Sequence, residues 1–166
     1  MFTSLLVPVD GSVHALKALS IAAQLASPDA TLHLLHVREL LPHLHYGSLL
    51  SIQEAIQASS PDTAEKEIRE ILDKAQAHLR SRFTGRIETH GRHGDAARII
   101  AYEAESLEVE VIVIGSRGLS DWSGMLMGSV SHKVSHIATC MVISVHDDED
   151  APIPGGTVDN NPYAGL

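Results

Sequence analysis

Cysteine is nearly absent. Cys140 is the single one, so no disulfide within the chain is available and packing alone must hold the fold. One cysteine suits a reducing compartment. No basic segment precedes a long apolar run at the start, so no signal peptide is expected and the expected location is the cytoplasm. Aromatic residues make up only 4%, which leaves the core to Leu, Ile, Val and Ala. Positive charge is scarce too: 12 Lys and Arg stand against 21 Asp and Glu, a net charge of −9. That balance argues against a nucleic-acid backbone or an anionic membrane surface as the main partner, because both demand clustered cations. Any anion has to be held by local backbone dipoles. No apolar run approaches the roughly 20 residues of a spanning helix, so no membrane insertion is expected. There is no Gly-Lys dipeptide, which excludes a P-loop and its phosphate-polarising lysine. There is also no Gly-x-Ser-x-Gly nucleophile elbow, and no acid–base pair stands out, so no catalytic residue is assigned.

What remains is a regular alternation. With 166 residues the chain is long enough for one domain with a substantial core. Ser4 to Val9 reads as a strand buried on both faces, closed by Asp10-Gly11-Ser12. A helix follows with Ala15, Leu19, Ala22 and Ala26 at helical spacing, stopped by Ser27-Pro28-Asp29. Thr31 to Val37 is a second strand. Residues 38–60 form a variable insertion that suits a lid, a partner surface or a mobile segment. Pro61-Asp62-Thr63 opens a long helix with Ala64, Ile68, Ile71, Leu72, Ala75, Leu79 and Phe83 as its apolar stripe. Arg86 to Gly91 is a polar strand of the kind found at a sheet edge. Gly94-Asp95 caps a helix to Ser106, a Val/Ile strand starts at Val111, a helix runs from Gly128 to Ala138, and Met141 to Val145 is a fifth strand. In the last helix Val130, Val134, Ile137 and Ala138 share a face. Five strands alternating with four helices predict an open parallel sheet with helices on both faces. The domain thus covers residues 1–146. Residues 147–166 begin with an acidic run and continue in Pro, Gly and Asn, which reads as a disordered tail.

The richest stretch lies between the last two strands. Val111-Ile112-Val113-Ile114 breaks into Gly115-Ser116-Arg117-Gly118; nine residues later comes Gly128-Ser129-Val130 at the start of a helix. Strand, glycine loop and helix N-terminus together suit an anion: glycine lets the backbone come close, and the first helical turn offers free N–H groups at the positive end of the dipole. Arg117 is the one cation of that loop, placed either to reach a terminal phosphate or to point to water. Asp10, after the first strand, serves as a helix cap, as an acceptor for a ribose hydroxyl or as a ligand to a metal beside phosphates.

Gly115-x-x-Gly118, nine residues, then Gly128-Ser129 resembles the nucleotide signature of the universal stress protein family. The opening Leu6-Val7-Pro8-Val9-Asp10-Gly11-Ser12 and the pair His36-Val37 are similar to that family's first strand and second-strand ending. The resemblance spans Met1 to Val145; the family's usual aspartate before the fourth strand is Glu110 here, and its usual proline before the last strand is replaced by Cys140-Met141. It implies a Rossmann-like fold of the adenine-nucleotide-hydrolase-like type with strand order 3-2-1-4-5, and ATP or AMP at the switch point between the first and fourth strands, with Mg²⁺ reaching the site through Asp10. Pro8, Val9, Asp10, Val37 and Ile114 would line the nucleoside side. Gly115, Arg117, Gly118, Gly128, Ser129 and Val130 would hold the phosphates. Pro8, Val37 and Ile114 read equally as plain core. The resemblance also implies a homodimer through Met141–Val145, which would otherwise be an exposed edge. The protein would then be a regulatory one that passes its bound state to an unidentified partner protein. A slow ATPase or adenylyl-handling enzyme, and an interaction scaffold with a vestigial site, are the alternatives.

Eleven histidines raise the question of a metal. His132 and His136 have ligand spacing on a helix, His90 and His93 flank what reads as a glycine turn, and His43 and His45 lie in the insertion. None has a third ligand at telling spacing, so solvent-exposed histidines are expected. Cys140, at the start of an apolar strand, reads as buried filler and not as a nucleophile.

Overall fold

A run such as Leu5-Leu6-Val7, apolar at every position, has to be buried on both faces of its sheet, and all three residues are fully buried. The computed structural model describes residues 1–39, 61–116 and 128–146. Within them β1 (Phe2–Pro8), α1 (Val13–Leu25), β2 (Ala26–Arg38), α2 (Pro61–Arg80), β3 (Arg86–His93), α3 (Ala96–Ser106), β4 (Val111–Gly115), α4 (Ser129–Ile137) and β5 (Met141–Val145) follow in chain order. The strands form one parallel sheet in the order β3-β2-β1-β4-β5. Fold class and strand order are those expected.

Period-two alternation splits the sheet's side chains between two helical layers. Leu5, Val7, Leu32, Leu34, Val111 and Val113 pack with Ala18, Leu19 and Ala22 of α1 and Ile68, Leu72 and Leu79 of α2. On the other face Leu6, Leu35, Ile112 and Ile114 pack with Ala97, Ile100 and Ala104 of α3 and Val134 of α4. Small residues on α1 and α3 let these helices lie close to the sheet, as the near-absence of aromatics requires. At the amino ends of the strands, Glu110 accepts from the Thr3 N–H at 2.7 Å and from the Thr3 hydroxyl at 3.0 Å. These two donors hold the Glu110 carboxyl below its ordinary value.

Several expectations need correction. Helix α1 ends at Leu25, and Ala26 is already extended at φ −72° and ψ 145°. Ala26 therefore belongs to β2, where it pairs with Phe2, and a register shift before Ser4↔Thr31 absorbs Ser27-Pro28-Asp29. A small buried residue serves a helix face and a strand equally well. The edge strand β3 continues to His93, so Gly91 sits inside it and not in a turn. A Cβ at Gly91 would lie 2.5 Å from Ile68 Cγ2, so the glycine lets α2 settle on the strand. Ile137 is 46% exposed and Ile71 is only partly buried. His33 and His36 are buried, against the expectation for the histidines as a group. The greater part of the insertion, residues 40–60, and the tail, residues 147–166, lie outside the described residues. No described helix is long and apolar enough to cross a membrane.

Candidate functional site

The chain reverses direction between β1 and β4, which are paired at Leu5↔Val111 and Leu6↔Ile112. Outside the carboxyl ends of these strands lies the crevice in which open α/β sheets hold ligands.

On the β1 side the backbone is tightly determined. The Val9 N–H donates to Leu35 O at 2.8 Å, and His36 Nδ1 lies 2.7 Å from Val9 O, in a buried position. A carbonyl only accepts, so His36 must donate its Nδ1–H and its tautomer is set. Sequence reasoning gave His36 no such role; its only signal was a polar residue within an apolar strand. Asp10 accepts from the Ser12 N–H at 2.9 Å, and Ser12 Oγ accepts from the Ala15 N–H at 3.2 Å. The cap of α1 is therefore Ser12, while Asp10 braces the turn that precedes it. Pro8 pairs with Leu35, Val37 pairs with Arg92 on the edge side, and Val9 is buried.

On the β4 side Ile114 is buried and pairs with Ser144 of β5. Gly115 ends the strand where a Cβ would lie 2.9 Å from the backbone carbonyl carbon and from the Cβ of His14. Its missing side chain is thus already needed for the approach of α1. Ser116 then acts as a clasp. Its N–H donates to Val145 O at 2.8 Å, and its carbonyl accepts from the Gly128 N–H at 2.5 Å. The buried Ser131 hydroxyl lies 2.9 Å from Ser116 O and 3.0 Å from Gly128 O. These contacts bring the two halves of the glycine signature together at their ends. Ser116 and Ser131 were missed by sequence reasoning, because small polar residues carry no periodic signal. The Ser116 hydroxyl itself is buried, with no hydrogen-bond partner among the described residues.

Helix α4 starts at this clasp. Its N-cap, Gly128, has φ −69° and ψ 156° and supplies no side-chain hydrogen bond. The first-turn N–H groups of Ser129, Val130 and Ser131 have no partner within the helix, as in any helix, and the N-cap glycine has no side chain to cap them. Ser129 is exposed and Val130 half-buried. Arg117 and Gly118 lie outside the described residues. Among the other candidates, Cys140 is only partly buried, packed against the second core layer and not within it, contrary to expectation, and the burial it has pushes its thiol above the ordinary value. The His132 and His136 rings meet edge to face on exposed positions of α4, with Nε2 atoms 3.3 Å apart.

Fold and geometry thus define a class: a doubly wound parallel α/β domain whose switch point is flanked by a braced loop and a helix that starts at a glycine. Comparison with known proteins narrows it. The universal stress protein family model matches residues 1–146, and the chain belongs to that family. It is 36% identical over 148 residues to universal stress protein YxiE of Bacillus subtilis, covering 87% of this chain and 99% of that protein. It is 32% identical over 151 residues to universal stress protein G of Salmonella typhimurium, covering 87% and 99% respectively. Among solved structures, a universal stress protein in complex with cAMP is similar at a TM-score of 0.64 and 24% identity, covering 87% of this chain and 97% of that one. A universal stress protein family protein from Arabidopsis thaliana with AMP bound reaches a TM-score of 0.62 at 18% identity, covering 92% and 97%. At these identities the structural likeness is one of fold.

Proposed function

We propose that this universal stress protein binds an adenine nucleotide, ATP or AMP, at the switch point between β1 and β4, and acts as a regulatory protein that presents its bound state to a partner protein. The observation that carries the reading is the start of α4 at a glycine, which places no capping side chain over its first turn. Its first-turn donors stand beside the end of β4, in a chain whose net charge of −9 leaves backbone dipoles as the means of holding phosphate. Solved relatives of the same fold carry cAMP or AMP, which supports the same ligand class. The buried hydroxyl of Ser116, which has no partner among the described residues, is a donor at the same strand end, and it fits a site that takes an oxygen-rich group.

In this reading Gly128, Ser129 and Val130 hold phosphate oxygens through backbone N–H groups, joined by Gly115, Gly118 and Arg117. Pro8, Val9, Val37 and Ile114 border the base and ribose, and Asp10 accepts from the ribose or holds Mg²⁺ when the nucleotide brings it. A magnesium ion would screen the phosphate charge. The protein's own residues supply position and hydrogen bonds. Calorimetric titration with ATP and with AMP, on wild type and on Gly118→Val, tests the assignment. Saturable binding that is lost in the folded variant is expected; equal affinity in the variant would remove the glycine loop from the site.

We also propose that β5 pairs with a second copy. It is an edge strand, and Met141 at its start is 56% exposed. Sedimentation at micromolar concentration should give a dimer mass.

A further inference from the structure

We propose that His33, Glu88 and His90 form a binding site for a divalent transition-metal cation, separate from the nucleotide site. The placement follows from the sheet. His33 of β2 lies in register with Glu88 of β3, and His90 follows Glu88 by two residues, so the three side chains share one face. His33 Nδ1 is 3.1 Å from His90 Nε2 and 3.4 Å from Glu88 Oε2, and all three ligand atoms lie within 4.8 Å of one another. Ligands at about 2.0–2.1 Å from a tetrahedral zinc ion stand about 3.3 Å apart, so the first two separations already match.

The donor set also selects the ion. Two imidazole nitrogens and one carboxylate oxygen suit zinc and its neighbours, whereas magnesium and calcium prefer oxygen alone. The surroundings hold the carboxylate in place: Arg86 Nε binds Glu88 Oε1 at 2.7 Å, which leaves Oε2 on the histidine side. Such an outer contact orients a ligand and tunes it. His33 is buried, and Glu88, on the edge strand, is 31% exposed, so one flank is fixed while the other stays open to an incoming ion and a fourth ligand such as water. Among the described residues this is the one group of three potential ligands within such reach. The sequence hid it, because its members come from two strands whose register the chain does not announce.

The competing state is a hydrogen-bonded triad in which the single Nδ1–H of His33 is shared between Glu88 and His90. Calorimetric titration of the untagged full-length protein with Zn²⁺ separates the two. One site per chain is expected, retained in the double variant His132→Ala/His136→Ala and weakened roughly 100-fold or more in His90→Ala and in the near-isosteric Glu88→Gln. Zinc-edge X-ray absorption on the loaded wild type, which needs no variant, should show a nitrogen and oxygen shell containing two imidazoles. No uptake of Zn²⁺, uptake unchanged in both cluster variants, uptake lost with His132 and His136, or a shell without two imidazoles would each overturn the proposal.

Discussion

Two helices begin beside the same switch point and begin differently. Helix α1 is closed by its own sequence: Ser12 Oγ takes the Ala15 N–H, and Asp10 takes the N–H of Ser12. Helix α4 begins at Gly128, which offers no side chain to its first-turn donors. Helix α3, which follows the edge strand β3, is closed like α1, by Asp95 accepting from Arg98 N–H. A capping side chain is worth about 1 kcal/mol over alanine but only a few tenths of a kcal/mol over glycine. Glycine at the start of α4 thus gives up little stability while placing no side chain over the helix start.

The largest effect should come from making α4 resemble α1. Gly128→Asp fits the extended backbone there and supplies a cap, raising stability by a few tenths of a kcal/mol. In the proposed site the same carboxylate would face the phosphates, and like charges at about 4 Å repel by about 4 kcal/mol at an effective dielectric of about 20. A fall in ATP affinity of about 100-fold or more, together with an unchanged or raised melting temperature, is the expected pair of results in calorimetry and thermal denaturation. Next comes Gly115→Ala. Its new Cβ would strike His14 at 2.9 Å, and such overpacking costs about 1–3 kcal/mol. Denaturant unfolding should show that loss in the protein without nucleotide, which distinguishes a glycine required by packing from one required by a ligand. Ser12→Ala should cost about 1 kcal/mol and leave ATP affinity unchanged, since that donor set is already used internally. A large loss of affinity there would erase the distinction between the two helix starts.

The smallest effect lies at the opposite ends of the same strands. The folded-state pKa of Glu110 is depressed, so its bonds to Thr3 contribute stability above the ordinary value of 4.5 and lose it as pH falls through the folded value. Glu110→Gln should therefore melt slightly earlier than wild type at pH 7 and together with it in strong acid, with nucleotide affinity unaltered at pH 7. A difference that persists in acid would mean that the carboxylate's charge is not what the contact uses.

The alternation of elements was legible because strands such as Val111–Ile114 are apolar throughout while α2 carries its stripe on one side. The order of the strands was not legible from pattern, since every parallel pairing of such strands buries similar surface; it came from the family resemblance. Boundaries failed where one residue suits two roles, as Ala26 does. The glycines of the site were legible from spacing, yet their reasons were not: the space at Gly115 is taken up by His14, and Gly91 serves a strand–helix contact. Ser116 and His36 stood in the sequence motifs without the parts they play, and Ser131 went unremarked, because hydrogen bonds between residues distant in the chain leave no local pattern. The His33, Glu88 and His90 cluster needed the register of β2 on β3. Arg117 and Gly118 fall outside the described residues and rest on the sequence alone.

The adenine-nucleotide site proposed at the start of α4 has a direct test. The protein should be purified without added nucleotide, denatured, and the released small molecules identified by chromatography with mass detection. ATP or AMP in near-stoichiometric amount is the predicted result. A protein that releases none, and gives no heat on titration with ATP and Mg²⁺, would contradict the account.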